Sequence, residues 1–167
     1  YVSEAASERA ALLAPREVAI VVDLRSTDTA YLLEHGTGDN VNFTYQVEIF
    51  GTTIKCNEDG VMRVSAVMPG LGPTATKCLI AWSVRPETAV TVRSELALYN
   101  FDTDEWATAV ATHAGTATNV GWDLVINGDG NGASGLADIG DFYSVRIGRR
   151  FHATTEAKED WVGLTTA

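Results

Sequence analysis

Residues 127–138 read Asn-Gly-Asp-Gly-Asn-Gly-Ala-Ser-Gly-Leu-Ala-Asp. With Asn127 as the first position, side-chain oxygens fall at the first, third and fifth positions, on Asn127, Asp129 and Asn131, with Gly132 at the sixth and Asp138 at the twelfth. This is the ligand spacing of an EF-hand-like calcium loop. Alternating oxygens converge on one hard cation, and the glycines permit the sharp turn. The first ligand is a neutral Asn, the last is Asp rather than a bidentate Glu, and a strand pattern precedes the loop, so weak calcium binding is expected. The same composition also suits a plain connection between strands, in which Gly and Asn supply positive φ.

Aromatic residues offer a second kind of chemistry. Sugars dock on flat aromatic faces rimmed by amide and carboxylate groups. Trp82 and Trp122 alternate with apolar strand neighbours and read as core. Trp106 follows the acidic run Asp102-Thr103-Asp104-Glu105 and is the tryptophan expected at the surface, with Tyr99 close to it in sequence. Trp106 and Tyr99 are therefore the candidate ligand-binding residues. His35 precedes a glycine and His152 follows a strand end, so both read as surface or loop residues. No histidine has a nucleophile beside it that sequence alone identifies, and no catalytic residue is assigned.

The 167-residue chain carries a net charge of −10. An evenly spread acidic balance disfavours phosphate backbones, which need clustered Lys and Arg, so no nucleic-acid partner is expected. No apolar run approaches the roughly 20 residues of a spanning helix, so no membrane insertion is expected. At 46% hydrophobic and 20% charged residues, the chain has the composition of a globular protein. Cys56 and Cys78 lie in strand-like stretches and read as buried thiols or as a bridge; their spacing does not decide between these.

The elements that must position these residues are strands. Ser3 to Leu13 reads as a short helix capped by Ser3 and ended by Pro15. From Glu17 onward the period changes to two. Val18, Ile20, Val22 and Leu24 share a face, as do Phe43, Tyr45, Val47 and Ile49. Met62, Val64, Ala66 and Met68 repeat the pattern, followed by Cys78, Ile80 and Trp82, then Leu96 and Leu98, Trp122, Leu124 and Ile126, and Tyr143, Val145 and Ile147. Gly-, Asn- and Pro-rich turns separate the runs, and helix patterns do not alternate with them. An all-β, antiparallel two-sheet β-sandwich is predicted, with residues 1–16 as a helical lead-in and 17–167 as one domain.

The order of short motifs is similar to that of the laminin G-like, concanavalin A-like lectin–glucanase jelly rolls. The motifs are Leu32-Leu33-Glu34-His35-Gly36, Ala81-Trp82-Ser83, Gly121-Trp122-Asp123-Leu124-Val125-Ile126, Ile147-Gly148 and Trp161-Val162-Gly163. The resemblance covers residues 17–164. It implies a jelly roll whose last strand returns beside the first; here only Leu164 to Ala167 follow the closing turn, so that strand is expected to be very short or the chain to be cut from something longer. The step Gly148-Arg149-Arg150-Phe151-His152 resembles modules of bacteriophage tail and surface proteins. Glucanases of this fold carry an E-x-D-x-E run on one strand, which this chain lacks; Asp102 to Glu105 instead has turn composition. The expectation is a non-enzymatic module of an extracellular or virion assembly that acts in adhesion or in binding cell-surface glycan, with other virion or surface proteins as partners in an oligomer. Two alternatives accompany it: a purely structural assembly protein, and a glycan hydrolase of the same fold.

Overall fold

The computed structural model describes residues 16–36, 43–58, 61–88, 91–114, 123–126 and 142–148. These residues form ten strands: β1 (Arg16–Leu24), β2 (Thr29–Gly36), β3 (Phe43–Phe50), β4 (Thr53–Glu58), β5 (Val61–Val67), β6 (Thr76–Pro86), β7 (Thr91–Asn100), β8 (Glu105–Ala114), β9 (Asp123–Ile126) and β10 (Phe142–Gly148). They make two antiparallel sheets, ordered β10-β1-β6-β7-β8 and β5-β4-β3-β2-β9, the layers of a β-sandwich. No helix occurs among the described residues. The helix expected over Ser3–Leu13 lies outside them, and no described helix is long and apolar enough to cross a membrane.

The period-two runs supply the shared interior. Val18, Ile20, Val22 and Leu24 of the first sheet meet Tyr45, Val47, Ile49, Ile54 and Cys56 of the second, with Ile80, Trp82, Leu96 and Leu98 completing the core. Trp82 is 1% exposed, and burying an aliphatic or aromatic side chain of this kind is worth about 1.5–3 kcal/mol. Cys56 and Cys78 are both buried free thiols. The β3–β4 hairpin turns at Gly51, whose φ of +62° a side chain would strain.

Three strands depart from simple half-burial. In β1, β6 and β7 the opposite face is buried too: Ala19, Val21, Leu79, Ala81, Ala97 and Tyr99 form a second apolar cluster. Continuous apolar runs such as Val18–Val22 mark strands covered on both faces.

Bulges reset the alternation elsewhere. An extra residue in β2 at Leu32 brings both Leu32 and Leu33 into the core and turns His35 inward, opposite Tyr45. His35 is therefore fully buried and stacked on Tyr45 at 5.1 Å, a correction to its expected surface position. Tyr143 is the extra residue of a bulge in β10, so Phe142, Val145 and Ile147 face the core while Tyr143 points out, half-exposed. Strand β1 has β10 on one side and β6 on the other. Residues 164–167, expected as a very short returning strand, lie outside the described residues.

Candidate functional site: an aromatic strip across one sheet

One end of the outer face of the β10-β1-β6-β7-β8 sheet carries a row of rings that crosses the strands. Trp106 of β8 stacks on Tyr99 of β7, with centroids 4.4 Å apart and planes 24° apart. Phe101, just beyond β7, meets Tyr99 edge-on at 4.8 Å. The ammonium of Lys77 on β6 sits 5.0 Å from the Phe101 centroid and 4.6 Å from that of Tyr143 on β10. The Tyr143 hydroxyl donates to Asp23 of β1 at 3.3 Å. Rings and one cation thus run from one sheet edge to the other, and cation–π attraction bridges the only gap between rings.

Register explains the row. Tyr99 pairs with Trp106 and with Leu79, which places the two aromatics side by side on the outer face. The two residues named from sequence are therefore brought together. Their exposures differ: Tyr99 is 8% exposed and backs the stack, whereas Trp106 is partly exposed.

A tight hairpin between β7 and β8 holds the pair. Asn100, fully buried, accepts from the N–H of Asp102 at 2.9 Å and of Thr103 at 3.3 Å, and its side-chain amide donates to the Pro69 carbonyl at 2.9 Å. Asp104 stands at φ 55°, in the left-handed region that Asp tolerates. Its carboxylate accepts the Tyr99 hydroxyl at 2.7 Å. This hydrogen bond, then burial, then the negative charge of Asp104, raise the Tyr99 pKa, so the hydroxyl stays a donor at neutral pH. Asp102, Asp104 and Glu105 are exposed around the hairpin, as their turn composition predicts. The strip thus offers ring faces, one ammonium and several carboxylates, a set that suits polyhydroxylated ligands.

A second polar cluster lies between the sheets. Ser94 Oγ is 3.0 Å from His113 Nε2, and Glu58 Oε2 approaches the same nitrogen at 3.8 Å. A nucleophilic relay needs nucleophile and acid on opposite ring nitrogens. Here both converge on Nε2 and Ser94 is fully buried, so the cluster ties β4, β7 and β8 together. On the outer face of the second sheet, Gln46 donates to Glu34 at 2.6 Å and Asn57 donates to Gln46 at 2.9 Å, a buried polar ladder across β2, β3 and β4.

Sequence reasoning missed Asn100, Lys77 and the Ser94–His113 contact. The last follows from the β7–β8 register once β8 is recognised. The calcium candidates Asn127, Asp129, Asn131 and Asp138 lie outside the described residues, as do Trp122, His152 and Trp161. Among the described residues no group of three or more His, Cys, Asp or Glu side chains is placed to hold a metal ion. No family model matches the chain, and neither does any curated protein.

Proposed function

We propose that the protein is a non-enzymatic binding module that recognises carbohydrate through the aromatic strip. The observation that carries this reading is the Tyr99–Trp106 stack. One ring is held at its hydroxyl by Asp104 while the other stays partly open beside exposed carboxylates. A preorganised ring loses little freedom when a ligand settles on it.

The jelly-roll assignment belongs to the same proposal. It is supported by two antiparallel sheets between which the chain passes repeatedly, by β10 lying beside β1, and by the order of motifs in the sequence. So does the setting, an adhesion module of an extracellular or virion assembly, such as a phage tail or surface structure. Calcium at Asn127, Asp129, Asn131 and Asp138 stands as a proposal on ligand spacing.

A glycan array followed by calorimetry on the best hit tests the function. Trp106→Ala is expected to weaken binding at least tenfold and leave the far-ultraviolet circular dichroism unchanged. An array with no hit, or a hit that Trp106→Ala binds equally well, would remove the reading. The structural-assembly alternative draws on exposed apolar residues outside the strip: Val61, Met62 and Val67 of β5 and Val110 of β8 are each about half-exposed.

A further inference from the structure

Four strands end the two sheets among the described residues, and three of them carry a device that blocks edge-to-edge pairing. Strand β5 is bulged at Arg63, β10 is bulged at Tyr143 and carries Arg146, and β9 is only four residues long. Strand β8 has none of these. It runs for ten residues, pairs with β7 without a register shift, and contains no Pro, Lys or Arg. Its only carboxylate is Glu105, at its very start.

The sequence of β8 indicates which chain fits this edge. Thr108-Ala109-Val110-Ala111-Thr112 reads the same in both directions. A two-fold interface must be self-complementary, each residue meeting its symmetry mate or an exchanged partner. Antiparallel pairing about Val110 sets Val110 against Val110 of the second copy, Ala109 against Ala111, and Thr108 against Thr112. Val–Val and Thr–Thr contacts are favourable cross-strand pairs, and no like charges meet. The exposed side chains are the ones such a dimer would cover: Thr108, Thr112 and Ala114 are exposed, and Val110 is 48% exposed. The Thr112 hydroxyl donates to Glu87 at 3.1 Å, which leaves its methyl group free to pack.

We infer that β8 pairs with β8 of a second copy of this chain across a two-fold axis at Val110, joining the β10-β1-β6-β7-β8 sheets of the two copies into one continuous sheet. The second copy would place its aromatic strip on the same outer face, pointing the opposite way along the shared seam. Pairing of this kind does not depend on what the strip binds.

Sedimentation velocity and light scattering on the full chain test the inference. The wild type is expected to be dimeric at tens of micromolar. Val110→Lys, which sets two ammonium groups against each other on an exposed face, is expected to be folded and monomeric. Val110→Cys under mild oxidation is expected to give a covalent dimer through residue 110, provided the two native thiols stay protected. A wild type that remains monomeric at the highest soluble concentration would overturn the inference, and so would a Val110→Lys variant that dimerises as the wild type does.

Discussion

Asn100→Ala is the perturbation with the clearest structural magnitude. The Asn100 side chain is fully buried and makes three hydrogen bonds, two that close the β7–β8 hairpin and one to the carbonyl of Pro69. Each is worth about 1 kcal/mol net. The two hairpin N–H groups lie in an exposed turn where water replaces part of the loss; the Pro69 carbonyl and the space left by the amide recover less. The sum is about 2–3 kcal/mol of lost stability. At about 2–4 °C per kcal/mol for a domain of this size, the melting temperature should fall by roughly 5–10 °C. Thermal melts followed by circular dichroism and tryptophan fluorescence measure it, and the fluorescence should shift before the melt because the hairpin sets the Trp106 stack.

Gly70 supplies the coupling test. It sits at φ +61°, and a Cβ there would lie 2.7 Å from Thr103 Oγ1 and 2.8 Å from Glu105 Oε2. Gly70→Ala should cost about 1–2 kcal/mol through the backbone, and more because the short Thr103 side chain of the hairpin must give way to the new methyl group. The double variant should be less destabilised than the sum of the two by roughly 0.5 kcal/mol or more, since a released hairpin yields to the methyl group. A drop below roughly 0.5 kcal/mol for Asn100→Ala, or strict additivity of the pair, would refute the view that this hairpin is clamped to the Pro69–Gly70 turn.

Both thiols should be silent to a thiol reagent at pH 8 in the folded protein, and two should react once it is denatured. Burial pushes Cys78 up to about 11 from 9.0, with Asp102 and Asp23 adding to the rise against a Thr76 hydrogen bond, and burial, with Glu48, raises Cys56 well above the ordinary thiol value. A raised thiol pKa favours the fold while the thiol is neutral, so this contribution is intact below pH 9 and is lost as pH climbs towards 11. Rapid native labelling at pH 8 would contradict the buried placement. At the glycine-rich loop, calcium is expected to give a small heat of binding and a thermal shift that disappear in Asp129→Ala; a flat titration would remove calcium from the proposed function.

The strands whose apolar residues are large were legible in the sequence. Val18 to Leu24, Tyr45 to Ile49 and Cys78 to Trp82 show their period directly, and the core contains them. Strand β8 was not legible, because its inward side chains are Ala107, Ala109 and Ala111, and alanine barely contrasts with the threonines between them. His35 reads as a surface residue because a glycine follows it, and Tyr143 groups with the inward Val145 and Ile147; the bulges that set both positions leave no mark in the hydrophobic pattern. Trp106 and Tyr99 could be picked out because an acidic turn sits between them. That Tyr99 is the buried partner depends on neighbours from β6 and β1, which are distant in sequence. Asn100 was not singled out, since nothing local announces a bond to a carbonyl thirty-one positions earlier.

Because Tyr99 and Trp106 stand on adjacent strands rather than along one, the step between them is dictated by interstrand hydrogen bonding, about 4.8 Å. Side-chain replacement can change what each position offers but not how far apart the two strands lie. Selectivity at this pair comes from a spacing the backbone fixes, so ligands should be sorted by how they fit two rings at that separation before the identity of any single unit.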